Sequence, residues 1–219
     1  MEPDIWIIVA AVVVPFVAAA LTPLLHRVLG DRVGAFGTVV AASSFVLLLT
    51  QVGTTGTFSF RWVPSLGIAA RFRVDAWALL FGLVASGIGV LIFAYATRYM
   101  RGEPRLRRFY VALLGFMGSV LGVAFASDLV FLFLFWELTS VFSFVLIGYH
   151  DDEESSYSAR MAMVVTVGGS LCLLVGFLAL AVAAGGAFEG SGFDLAAILA
   201  NADETRAALE ESGLLLPTI

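Results

Sequence analysis

Residues 129–149 read LVFLFLFWELTSVFSFVLIGY, and Glu137 is their only group charged at neutral pH. At a rise of about 1.5 Å per residue, such a run spans roughly the 30 Å hydrocarbon core of a bilayer. Five further runs of the same character occupy residues 5–25, 33–52, 76–97, 109–127 and 161–184. Composition agrees: of 219 residues, 60% are hydrophobic and 13% charged, with a mean hydropathy of +0.99, against about 25% charged in a soluble domain. The expected fold is an all-α membrane protein of six transmembrane helices. The first run is read as a retained helix, because Glu2 and Asp4 stand where a signal peptide carries positive charge and its apolar stretch exceeds the usual ~7–15 residues.

Lysine is absent, and all twelve Lys+Arg residues are arginine. With the N-terminus outside, the inner loops hold Arg27, Arg32, Arg98, Arg101, Arg105, Arg107, Arg108 and Arg160, and the outer segments hold Arg61, Arg71, Arg73 and Arg206. Basic residues in short loops stay cytoplasmic, so both termini are expected outside, in a multi-pass protein of the cell membrane. Between the second and third runs, Phe58, Phe60 and Trp62 alternate with polar positions, residues 64–67 supply turn formers, and Phe72 and Val74 alternate with Arg71 and Arg73. That pattern predicts an extracellular β-hairpin. Residues 1–184 are thus expected to form a six-helix bundle, and residues 185–219 an extracellular acidic tail. In the tail Leu195, Ile198, Leu199, Ala202 and Leu209 fall near helical spacing among carboxylates, predicting a surface amphipathic helix. The closing Leu-Leu-Leu-Pro-Thr-Ile reads as the approach to a seventh helix, itself missing.

Glu137 is the ninth residue of its run and the one charge within all six. A charge near the bilayer centre costs on the order of 2.5–3.5 kcal/mol on insertion scales, so it is seldom present without a use or a partner. At about 100° per residue, Ser140 and Ser143 lie toward the same side of the helix, with Thr139 beside them, as a polar seam facing protein or water. The functional reading is a carboxylate on a proton or cation path, its proton affinity raised by desolvation and lowered by any nearby positive group. The plainer alternative is a protonated glutamate hydrogen-bonded between helices. The runs themselves supply no lysine or arginine to pair with it.

Other features carry structure rather than chemistry. Gly82 and Ser86, then Gly115, Gly118 and Gly122, then Gly168, Gly169 and Gly176 are spaced for close helix packing. Asp75 and Asp128 stand where helix N-termini favour a carboxylate. Asp151, Asp152, Glu153 and Glu154 read as a solvated acidic loop beside His150, and His26 and His150 as interfacial side chains. A net charge of −5 without a basic surface excludes nucleic acid as a partner. Cys172 is the only cysteine, which excludes a disulfide framework. No metal cluster, phosphate loop, dinucleotide fingerprint or Ser/His/Asp arrangement can be assembled, so no catalytic residue, cofactor or metal site is expected.

The segment Phe135-Trp136-Glu137-Leu138-Thr139-Ser140, continued by Val141-Phe142-Ser143-Phe144-Val145-Leu146-Ile147-Gly148-Tyr149, resembles helix 5 of the A subunit of Mrp-type multisubunit cation/proton antiporters. Phe72-Arg73-Val74-Asp75, the arginine-rich turn after Tyr99-Met100, Gly115-Phe116-Met117-Gly118 and the Gly168-Gly169 pair agree with that resemblance. The wider family includes the proton-pumping antiporter-like subunits of respiratory complex I, whose Trp-Glu pair is typically followed by Gly-Val-Gly; Leu138-Thr139-Ser140 favours the Mrp side. The resemblance implies a membrane subunit exchanging Na⁺ for H⁺ among other membrane subunits, with Glu137 paired electrostatically to a lysine on helix 7. That lysine and the later helices are missing here, so the chain is expected to be the N-terminal part of a longer subunit, a split subunit, or a truncated one that relies on neighbours. Two alternatives to the antiporter reading are a proton-translocating subunit of a complex I-like dehydrogenase or membrane hydrogenase, and a scaffold subunit whose glutamate only fixes helix packing.

Overall fold

The computed structural model describes residues 5–63, 65, 68–150, 152–188 and 190–213. It is mostly helical, with five helical segments long and apolar enough to cross a membrane among the described residues. The first, Ile5–Leu49, contains two helices, α1 (Ile5–Leu29) and α2 (Val33–Leu49), joined by a tight turn of three residues, Gly30–Arg32. Ser44 Oγ donates to the Ala11 carbonyl at 3.1 Å, so the two helices run back along one another. Strands β1 (Gly56–Val63) and β2 (Ile68–Val74) follow, then α3 (Ala76–Tyr99), α4 (Leu106–Phe125), α5 (Leu129–Ile147), α6 (Glu153–Ala187), α7 (Leu195–Ala200) and α8 (Ala202–Ser212).

Aspartates begin four of these helices by accepting backbone N–H groups that the first turn leaves unpaired. Asp75 caps α3, Asp128 caps α5, Asp152 caps α6 and Asp194 caps α7. The cap at Asp152 corrects one expectation. The acidic stretch is not a solvated loop through Glu154: Glu153 and Glu154 form the first turn of α6, where carboxylates complement the helix dipole. Asp151 lies outside the described residues. Helix α6 therefore starts eight residues before the apolar run and reaches 35 residues, about 52 Å.

The expected hairpin forms. Its antiparallel register pairs Gly56 with Val74 and Phe58 with Phe72, with an irregularity between Arg61 and Val63. Burial belongs to β2, where Ile68, Ala69, Phe72 and Val74 are covered while Phe60 and Trp62 of β1 are exposed. Of the expected turn, Pro64, Leu66 and Gly67 lie outside the described residues. The expected tail helix is two: α7 and α8 break at Asn201. Ile198 and Leu209 are buried, but Leu199, about 100° round α7 from Ile198, is 61% exposed. The final Leu-Leu-Leu-Pro-Thr-Ile falls outside the described residues.

Helix α4 is the centre of the bundle, and its glycines set the spacing. A side chain on Gly115 would collide with Phe142, on Gly118 with Phe16, and on Gly122 with Phe135. Three rings from α1 and α5 thus seat directly on the α4 backbone, the close approach that helices use where no hydrophobic effect drives them together. Gly168 and Gly169 of α6 differ, with open space where a side chain would point.

Candidate functional site

Two polar sites sit at different depths. At the hairpin end, the carboxyl of Asp128 is fully buried, with Arg71 Nη1 2.6 Å from its Oδ2. The Ala69 N–H donates to the same oxygen at 3.3 Å, and the N–H groups of Val130 and Phe131 donate to Oδ1 at 3.1 and 3.4 Å. Arg71 also reaches Asp194, Nε to Oδ2 at 3.3 Å. Backbone bonds reinforce this: Ser127 N–H to the Arg71 carbonyl, Leu129 N–H to the Phe193 carbonyl and Leu195 N–H to the Ser127 carbonyl. One guanidinium therefore ties the hairpin to the starts of α5 and α7. Burial pushes the Asp128 carboxyl above its ordinary value, and its hydrogen bonds and Arg71 pull against that shift.

Deeper, a cavity of about 740 Å³ opens between α4, α5 and α6. Thr139, Ser140 and Ser143 line it from α5, and Thr166 and Ser170 face them from α6. Thr139 Oγ1 donates to the Trp136 carbonyl, Thr166 Oγ1 to the Ala162 carbonyl and Ser170 Oγ to the Val167 carbonyl. The hydroxyls of Ser140 and Ser143 make no hydrogen bond among the described residues, which leaves them free to bond to whatever enters. Five hydroxyls can pass a proton through bound water or replace part of an ion's hydration shell. Phe116, Val123 and Leu173 make the remaining wall apolar.

Glu137 is not part of that lining. It lies on the adjoining flank of α5, about 60° from Ser140 and 120° from Ser143 by helical geometry, with Leu134 and Val141 exposed one turn to either side. Its Oε1 is buried and has no hydrogen-bond partner among the described residues. The structure thus brings the three hydroxyls of the expected seam together and sets the carboxylate beside them. Sequence reading missed Thr166 and Ser170, whose i,i+4 spacing on an otherwise apolar helix was the available signal. It also missed Arg71, whose partner Asp128 is 57 positions away.

Comparison with known proteins matches two family descriptions. "NADH-Ubiquinone oxidoreductase (complex I), chain 5 N-terminus" covers residues 61–110, and "NADH:quinone oxidoreductase/Mrp antiporter, TM" covers residues 126–215. The A1 subunit of the Na(+)/H(+) antiporter of Staphylococcus haemolyticus is 35% identical over 201 residues, 89% of this chain. The chain belongs to this antiporter-subunit family. The probable K(+)/H(+) antiporter A/B subunit of Rhizobium meliloti is 38% identical over 80% of the chain. Among solved structures, the Mrp complex from Dietzia sp. DQ12-45-1b aligns with a TM-score of 0.74 at 32% identity, covering 80% of this chain and 19% of that one. Respiratory complex I from Thermus thermophilus aligns at 0.71 and 26%, covering 89% and 39%. The chain spans 24% and 18% of the two antiporter subunits, so it corresponds to one part of a much longer family member.

Proposed function

We propose that this chain is part of a membrane subunit of a multisubunit monovalent cation/proton antiporter, a secondary transporter rather than an enzyme, and that Glu137 is a residue of its proton path. Its substrates are Na⁺ and H⁺, and its partners are the other membrane subunits of the complex and the lipid bilayer. The chain crosses the membrane six times with the N-terminus and the hairpin outside, a reading supported by eight arginines toward the α1–α2, α3–α4 and α5–α6 connections against four elsewhere. Residues 1–184 are the transmembrane bundle and residues 185–219 the outer tail, into which α6 runs as far as Ala187. The observation that carries the proposal is the buried, unpartnered Oε1 of Glu137 on a membrane helix, beside a cavity whose hydroxyls include Thr139, Ser140 and Ser143. A carboxylate in that state is costly unless a proton or a positive partner meets it.

The test is Glu137→Gln in the complete complex, reconstituted in vesicles and assayed for Na⁺-driven proton movement. Exchange is expected to fall about a hundredfold, roughly 2.7 kcal/mol, with assembly intact. Unchanged exchange removes Glu137 from the path. Loss of assembly before loss of transport supports the scaffold reading instead. The match to a complex I description keeps one second reading in play, a proton-translocating subunit of a redox complex. Co-purification with flavin and iron–sulfur proteins would establish that reading.

A further inference from the structure

Helices α3 and α4 carry a second groove, which meets the hydroxyl cavity at Phe116, Val123 and Leu132. Two cavities run along it and share Ala85 and Val120. One, about 190 Å³, extends to Ile92, and the other, about 590 Å³, extends to Trp77 and ends among Arg73, Asp75 and Ser127. From Ile92 to Trp77 the groove follows about 22 Å of helix, at a rise of about 1.5 Å per residue. One leaflet contributes only about 15 Å of hydrocarbon, so the groove is long enough for an acyl chain of that leaflet. Its floor is apolar, and Ala78, Ala85 and Gly89 keep it open. Along its α3 rim Trp77, Phe81, Val84, Ile88 and Ile92 are all exposed.

The mouth carries both signs of charge. Arg73 Nε lies 3.1 Å from Asp75 Oδ2, and both side chains are partly exposed, 41% and 32%. Asp75 uses Oδ1 to cap α3, accepting from the Ala78 N–H at 2.9 Å. The terminal guanidinium nitrogens of Arg73 have no partner among the described residues. A guanidinium presents a fork of donors that fits a phosphate, and the carboxylate beside it suits an ammonium group. Trp77 begins α3 next to them, at the depth where indole rings favour the membrane interface.

We propose that this groove holds one phospholipid of the hairpin-side leaflet, with an acyl chain between α3 and α4 and a phosphoethanolamine headgroup across Arg73 and Asp75. The test uses the complete complex, equilibrated in bilayer discs of equal phosphatidylethanolamine and phosphatidylglycerol, with retained lipid counted by native mass spectrometry. Wild type is expected to retain phosphatidylethanolamine preferentially. Ala85→Phe, which fills the junction of the two cavities, and Arg73→Gln are each expected to lower that retention about tenfold. Asp75→Asn keeps the helix cap but removes the charge, and is expected to shift the preference toward phosphatidylglycerol. Equal retention of both lipids by wild type overturns the proposal, as does retention that Asp75→Asn leaves unchanged, and Asp75→Asn decides alone if Ala85→Phe does not assemble. Efficient disulfide crosslinking of an Ile88→Cys variant to a cysteine on another transmembrane helix also overturns it, since protein rather than lipid then covers the groove.

Discussion

Asp128 and Glu137 are two acidic residues nine positions apart on one stretch of chain, and the protein treats them in opposite ways. Asp128 is fully buried and surrounded by one guanidinium and three backbone donors. Glu137 is half-buried, with an oxygen that nothing among the described residues satisfies. A buried carboxylate that is fully bonded holds elements in place, and removing it leaves its partners orphaned. One left unbonded is tolerable only where its partner or its proton comes from outside the set. The contrast separates a fully bonded acid from an unsatisfied one without appeal to residue type.

The comparison breaks most sharply if the two substitutions exchange their effects. Glu137→Gln is expected to lower exchange about a hundredfold and leave thermal unfolding of the complex nearly unmoved. Asp128→Ala is expected to cost about 3–5 kcal/mol by leaving three backbone N–H groups without their acceptor and Arg71 with Asp194 alone, read as a lower unfolding temperature and faster proteolysis at the hairpin. A smaller effect separates the filled glycine seam from the open one. Gly122→Ala, where Phe135 occupies the space, is expected to cost about 1–3 kcal/mol. Gly168→Ala, which meets no atom of this chain, should stay within about 1 kcal/mol of wild type; equal effects in the same unfolding assay would erase the distinction.

The smallest effect is in pH. The Asp152 carboxylate accepts from the Ser155 N–H and hydroxyl, which hold it below its ordinary value of 3.8. Its contribution is therefore present above pH 3.8 and lost as pH falls through the lower folded value, so hydrogen exchange in the first turn of α6 should quicken on acidification. Asp128 runs the other way, since burial raises it: its contribution is present below pH 3.8 and lost as pH rises through the raised folded value. Amides around Ala69 and Val130 should gain protection as pH falls toward 3.8, above the window in which the α6 turn loses it.

Much of this was legible in the sequence because it depends on local pattern. Apolar runs mark helices, alternation marks the hairpin, and aspartates ahead of apolar runs mark caps. The Arg71 clasp was not legible, because its three members come from separate elements and each has an ordinary local reading. Arg71 passes as a strand residue facing water, Asp128 as a helix-end carboxylate, and Asp194 as one more acid of the tail. At the deeper site, helical spacing aligned Thr139, Ser140 and Ser143, but the facing Thr166 and Ser170 were hidden in a segment whose glycines drew the reading toward packing. The tail break at Asn201 escaped because the apolar spacing runs smoothly across it.

The longest helix carries its own weak point. Straight helices bend most readily at glycine and serine neighbours, and each glycine lowers helix propensity by about 1 kcal/mol relative to alanine. In α6 that composition occurs at Gly168-Gly169-Ser170, with open space beside both glycines and with Gly169 and Ser170 lining the hydroxyl cavity. The stretch of α6 whose composition resists bending least is therefore also a stretch of the cavity wall, so a bend of α6 at that point would change the cavity's width.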